Sequence, residues 1–185
     1  MSSIGVVLDA CVLFPGVLRD TLLHAAKADI YRLHLTEDIL EEARRNLVKR
    51  GHMTEEQGQH LVDQIKKNFK SAFVTRHTIL IPSMPVNEKD RHVLATAVAS
   101  NSEIIVTQNL KDFPPRLLEP LQIEALSADD FLVHQFSLYQ ETVIDVLQEQ
   151  VSTLTRPPLT MLEMLVKLEK QTPNFVQLIR RSLYG

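Results

Sequence analysis

The chain has 185 residues, 44% of them hydrophobic, and a formal net charge of -3. This suits one globular domain with a sizeable core and a short appendage. It excludes a generally basic nucleic-acid binder, so any contact with nucleic acid has to come from a local patch. The single cysteine, Cys11, excludes an intrachain disulfide and fits a reducing cytoplasm. No apolar run is long enough to span a membrane. The opening "MSSIGVVLDACVLF" lacks a basic region and is interrupted by Asp9, which argues against a signal peptide.

In chain order, residues 4–8 are apolar and β-rich and predict a first strand. "PGVLRDTLLHAAKADI" opens on Pro15-Gly16 and places Val17, Leu18, Leu22, Ala25 and Ala26 at helical spacing. "YRLHL" (31–35) predicts a second strand. Thr36 is an N-cap followed by Glu37 and Asp38, where the helix dipole favours acids, and this helix stops at Gly51. Thr54 opens another helix, reaching residue 70. "HTILIP" (77–82) predicts a third strand. Asn87 caps a helix over "EKDRHVLATAVAS", residues 103–107 form a fourth strand, and "QIEAL" (122–126) a fifth. Ser127 to Asp130 resembles a capping box and starts one long helix to residue 150. "STLTRPP" (152–158) reads as a linker before helices over 159–170 and 174–183. Short strands alternating with helices predict a parallel sheet covered on both faces.

In open parallel sheets, ligands gather beyond the C-terminal strand ends. Asp9 follows the first strand and Asp112 the fourth, so both lie at that end. Either one alone also reads as a turn or N-cap aspartate. Asp90 lies on the same helical stripe as Val93, Leu94 and Ala97. It either completes a capping box with Asn87 or turns a carboxylate inward, where backbone donors, a basic side chain or a metal must compensate it. On the Thr36 helix, Ile39, Leu40, Ala43 and Leu47 set the apolar stripe and Glu42 falls at its edge. Glu37, Asp38 and Glu41 read as a solvated face, with pairs such as Glu41 to Arg45. Carboxylates that converge stay ionised together only around a cation, and hard oxygen ligands select Mg²⁺ or Mn²⁺.

Four segments, "VVLDACVLFPG", "LTEDILEEARRNL", "PVNEKDRHVLATAVAS" and "IIVTQNLKDFP", resemble in order and spacing the PIN-domain nucleases, in particular the toxin-like members of bacterial toxin–antitoxin pairs. The resemblance covers most of residues 4–132. It implies an α/β, three-layer α/β/α fold with a central parallel sheet of four to five strands, here a PIN-like domain over 1–135 and a helical extension over 136–185. It implies a cytoplasmic, metal-dependent endoribonuclease with Asp9, Glu42, Asp90 and Asp112 as its acids, of which Asp9, Asp90 and Asp112 hold Mg²⁺ or Mn²⁺. Glu41 adjoins Glu42, and a one-residue slip between them stays open. Thr107 and Asn109 line the same loop in such proteins.

The chemistry so implied is phosphodiester hydrolysis in RNA, with an ion-activated water attacking phosphorus and Glu42 as ligand or base. Arg44, Arg45, Arg91 and Lys111, with His92, Lys49 and Arg50, offer a basic rim for the RNA backbone; the arginine run also suits a helix C-terminus. The partners implied are an RNA substrate and a small antitoxin, with a homodimer as a further expectation. The other histidines show no zinc spacing, and Cys11 reads as a small core residue. Two rivals remain. An acid-rich α/β phosphatase would carry a second aspartate at position 11, where Cys11 stands. An inactive RNA-binding or protein-interaction module would keep the fold without the chemistry. The tail stripe Leu159, Leu162, Leu165, Val166 and Leu168 reads as intramolecular packing or a partner face.

Overall fold

The computed structural model describes residues 4–154 and 157–185. The chain begins with strand β1 (Gly5–Leu8) and runs through helices α1 (Ala10–Leu13) and α2 (Gly16–Lys27) to β2 (Arg32–His34). Helices α3 (Glu37–Lys49), α4 (Glu55–Asn68) and α5 (Arg91–Ser100) lead to β3 (Ile104–Val106). Next come α6 (Pro115–Leu118) and β4 (Glu124–Leu126), and then α7 (Ala128–Leu138), α8 (Gln140–Thr153), α9 (Met161–Glu169) and α10 (Pro173–Tyr184). The four strands form one all-parallel sheet in the order β2-β1-β3-β4. The architecture is the three-layer α/β/α fold expected.

Every residue of β1 and β3 is buried, as strands covered on both faces require. Val6 stands opposite both Leu33 and Ile104, and Leu8 opposite Val106. The chain leaves β1 for β2 on one side and returns with β3 on the other. The strand order therefore reverses between β1 and β3, and the crevice for a ligand opens beyond their C-terminal ends. Local signals place the flanking helices. Thr36 caps α3 by accepting from the Ile39 amide at 3.3 Å, and the chain turns after α3 at Gly51, whose φ of 71° suits glycine.

Three sequence expectations are corrected. Residues 77–82 are not a strand but two 3₁₀ turns, Arg76–Ile79 and Ile81–Ser83. The edge beyond β2 is already taken by a single bridge, Leu35 to Phe73, so "HTILIP" meets no strand edge and leaves Ile79 in solvent. Asn87 makes no side-chain cap: residues Glu88–Asp90 form a 3₁₀ turn and α5 starts only at Arg91. The long helix over 127–150 is two helices, broken at Tyr139 (φ -134°, ψ 47°). The break lets α7 lie along α10 while α8 lies on α2. Of the expected linker, Ser152 and Thr153 belong to α8, and Thr155 and Arg156 lie outside the described residues.

The helices after residue 128 share the core of the sheet. Leu147, Met164, Leu165, Phe175, Val176 and Ile179 join one cluster with the residues of β1 and β3. Buried Gln150 donates to the Val17 carbonyl at 3.1 Å and accepts from Thr21 at 2.8 Å. The tail stripe divides: Leu165 and Leu168 are buried, whereas Leu162 and Val166 face solvent.

Candidate active site

Asp9 ends β1 and sits at the N-cap of α1. Its amide donates to the Val106 carbonyl at 3.0 Å, which pins it to β3 at the switch point. Its Oδ2 accepts from the Thr107 hydroxyl at 2.7 Å and from the Cys11 thiol at 3.2 Å. Thr107 is fully buried, and its Oγ1 accepts from the Asn109 amide at 3.0 Å. Burial, and then the charge of Asp9, push the Cys11 thiol up to about 12, so Cys11 is a protonated donor that holds Asp9. From sequence Cys11 reads as a small core residue; its position two residues beyond Asp9, across the opening turn of a helix, is the signal for this role.

Asp90 is buried, and among the described residues its Oδ2 has no hydrogen-bond partner. The capping-box alternative is thereby excluded: its amide donates to the Asn87 carbonyl at 2.9 Å, and no side-chain cap forms. Burial raises the Asp90 pKa; the Lys89 charge opposes this, and the charges of Asp112, Asp9 and Glu42 add to the rise. The charges of the other three acids named from sequence therefore all reach Asp90. Asp112 closes a 3₁₀ turn, Leu110–Asp112, after β3.

Lys89, which sequence reasoning did not single out, stands between two of these acids. Its ammonium donates to Asp112 at 2.9 Å and lies 3.8 Å from Asp90. Its pKa is raised by the Asp112 hydrogen bond first, then by the charge of Asp90. Its place beside Asp90 in "EKDRH" was visible, but nothing in the spacing said that it would fold back over the acids.

Glu42 lies 3.1 Å from His92 Nε2. The ring N–H is not aimed along that line, because Nε2 has no satisfying hydrogen-bond partner, so this is a charge contact. Burial lowers the His92 pKa, but the adjoining Glu42 carboxylate, with Asp9 and Asp38 behind it, leaves the pKa above its ordinary value. His92 thus turns inward, away from the rim expected for it. A cleft of 510 Å³ opens here, lined by Glu41, Glu42, Arg45, Lys89 and His92 among others.

The remaining site residues are placed as follows. Both Glu41 oxygens are held by Arg44 at 2.7 Å, and that hydrogen bonding lowers the Glu41 pKa. Arg44 also pairs with Glu55 and packs its stem on Gly58, in the seam between α3 and α4. It is not brought to the acids. Arg45 lines the cleft. Arg91 Nε donates to the Val86 carbonyl at 3.3 Å, and Lys111 is exposed.

The donor chemistry fits a hard divalent cation: carboxylate oxygens only, one of them buried and unsatisfied. Among the described residues, however, no three such side chains stand close enough to hold an ion as placed. The Lys89 ammonium, on a side chain 66% exposed, is the positive charge beside Asp112 and Asp90.

An α/β protein with acids grouped at the switch point of a parallel sheet is what the geometry defines. The chain belongs to the PIN-domain family, whose profile matches residues 5–111. A second profile, the VapC50 C-terminal domain, matches residues 128–181. The chain is similar to "Putative ribonuclease VapC50" of Mycobacterium tuberculosis (strain ATCC 25618 / H37Rv), at 44% identity over 111 residues. That stretch is 60% of this chain and 66% of the relative, so it spans a little under two thirds of the relative's length. No solved structure matches the chain.

Proposed function

We propose that this chain is a divalent-metal-dependent endoribonuclease that hydrolyses RNA phosphodiesters, and that it is the toxin of a type II toxin–antitoxin pair acting in the cytoplasm. The observation that carries the reading is the buried, unpartnered Asp90 oxygen, whose carboxyl feels the charges of Asp9, Asp112 and Glu42. The name of the relative, a ribonuclease, supports RNA as the substrate. A small antitoxin and a homodimer are the partners proposed with it.

In this reading Asp9, Asp90 and Asp112 would hold Mg²⁺ or Mn²⁺. When bound, the ion activates water and neutralises charge on the phosphodiester. The chain's own residues prepare that site. Thr107 and Cys11 fix Asp9 by one oxygen, as outer partners of a metal ligand do. Asn109 locks Thr107 through its amide. Glu42, held beside His92, is the acid best placed to accept a proton from the attacking water. Lys89, on its exposed stem, would free Asp112 and Asp90 for the ion and would serve a phosphate oxygen. Arg45 and Lys111 attract the RNA backbone from the rim.

The inactive-module reading takes the ion pairs of Lys89 with Asp112 and Asp90 as the lasting compensation of those acids. One experiment separates the two. Purified protein is incubated with single-stranded RNA and Mg²⁺, with EDTA, and as Asp90→Asn. Cleavage is expected with Mg²⁺ only, with the variant at least about 100-fold slower. Cleavage that survives EDTA, or Asp90→Asn at the wild-type rate, overturns the assignment. RNA binding without cleavage under every divalent ion makes the chain a binding module.

A further inference from the structure

A second cavity begins at Phe14, the residue that ends α1. Its volume is 500 Å³, and it is walled by the α1–α2 turn, the loop after α3 and the α9–α10 turn. Gly16, Arg19, His52, Lys167, Lys170 and Gln171 give it its character, and no acidic side chain is among its lining residues. In a chain of charge -3, this is a local concentration of positive charge.

Two features point to an anion. First, the cavity holds the N-terminus of α2, a twelve-residue helix whose N-cap, Pro15, offers no side-chain acceptor and whose first turn contains no acid. Its orphan amides and dipole are uncompensated. Second, Arg19 is 6% exposed and incompletely satisfied. Nη1 donates to the Leu13 carbonyl at 3.0 Å, but Nε has no hydrogen-bond partner among the described residues. Asp20, 3.5 Å away, gives it a charge contact only. Nη2 lies 3.5 Å from where a side chain on Gly16 would begin, and Gly16 and Arg19 both line the cavity.

The C-terminal extension supplies the other wall. Lys167 and Lys170 are exposed, and the acid between them, Glu169, is taken by Arg180 at 2.8 and 3.1 Å. Lysines at a helix C-terminus also suit their own dipole, but that does not account for a buried arginine whose Nε is met only by the Asp20 charge. Two further hydrogen bonds link the cavity to Asp9 through Cys11. Gln171 accepts from the Gln108 side chain at 3.4 Å, and the Gln108 amide donates to Cys11, which holds Asp9.

We propose that this cavity is a phosphate subsite of the RNA track, in which Lys167 and Lys170 of the extension, Arg19 and the α2 N-terminus receive a backbone phosphodiester of the strand being cleaved at the acid pocket. The proposal rests on the nuclease reading above. It gives the extension a task in substrate binding that is sequence-independent, since phosphate contacts position a strand without reading it.

The test uses the full chain and a fluorescein-labelled single-stranded RNA of about 12 nucleotides, a length chosen to span both sites. Binding is followed by anisotropy in EDTA at several salt concentrations. Lys167→Ala/Lys170→Ala is compared with the wild type and with Lys66→Ala/Lys67→Ala, which removes the same charge from α4. Removing two phosphate contacts is expected to lower the salt slope by about 1.4, roughly 0.7 for each, and to weaken binding about tenfold. The α4 variant is expected to keep the wild-type slope. If the first variant keeps wild-type affinity and slope while the wild type cleaves RNA with Mg²⁺, the subsite is wrong and the nuclease reading stands. If the α4 variant loses as much, the effect is net charge and the subsite is overturned. If the wild type neither binds nor cleaves RNA, the nuclease reading fails and this inference with it.

Discussion

Asp90 shows how function and stability oppose each other at one residue. Its folded-state pKa is raised above the ordinary 3.8, by burial first and then by three neighbouring acids. A raised carboxyl binds its proton more tightly in the fold than in the unfolded chain. Its contribution therefore favours folding below about pH 3.8 and is lost as the pH rises through the raised value. Above that value, the metal-free fold carries a buried anion with one unpartnered oxygen. Asp90→Asn keeps the volume and removes the charge. In EDTA the variant is expected to melt at a higher temperature than the wild type at pH 7, and the gap is expected to close on acidification toward pH 4. Thermal melting across that range checks it. A variant less stable at pH 7, or a gap that does not depend on pH, removes the claim that Asp90 is held at a cost for a cation.

At the scale of elements, a second buried acid does a different job. Asp129 lies in the first turn of α7 and reads from sequence as part of the Ser127 cap. The cap is made by Ser127 itself, which accepts from the Asp130 amide at 3.0 Å. Asp129 reaches instead to α10, accepting from the Phe175 amide at 2.8 Å and from the Asn174 amide and side chain at 3.2 and 2.8 Å. It serves as the N-terminal acceptor that α10 lacks, from 45 residues away in sequence. Asp129→Ala is expected to cost about 2–4 kcal/mol, since it strips several charge-assisted bonds and leaves buried amides orphaned. Amide hydrogen exchange over 173–184 is expected to speed up more than over β1 and β3. Equal protection in both regions counts against a docking role. The same contrast explains what the sequence could disclose. Thr36, Gly51 and the apolar runs of β1 and β3 act on their nearest neighbours, so they are legible. Asp9, Asp90, Asp112 and Glu42 are legible as candidates because strand ends and helical stripes fix their side. The strand expected at 77–82 fails because whether an apolar run pairs depends on a distant edge being free. The break at Tyr139 is invisible for a related reason: Phe136 and Val143 are seven residues apart, in helical phase, so the stripe continues across it. Lys89 over the acids and Asp129 on α10 are tertiary choices that no local signal records.

For the whole molecule, the arrangement of the extension decides how the chain folds. The matched profiles treat residues 5–111 and 128–181 as separate pieces, yet Met164, Leu165, Leu168, Phe175, Val176 and Ile179 are buried in the same cluster as the sheet. The α10 ring of Phe175 packs edge-on against Phe136 of α7, with centroids 6.3 Å apart. Those six side chains bury surface worth roughly 1.5–3 kcal/mol each before ordering costs. Net stabilities of single domains are only about 5–15 kcal/mol, so a chain ending at Leu154 loses contacts it cannot spare and exposes apolar faces of α2 and α7. That truncated chain is expected to bind a hydrophobic dye and to elute as aggregate, with no cooperative melt. A truncated chain that elutes as a monomer and melts cooperatively near the wild-type temperature would show that the sheet stands alone and that α9 and α10 are an accessory. The expected outcome instead ties the cation-lined cavity to folding itself, because the walls that carry Arg19 and Lys167 are brought together only when the extension closes the core.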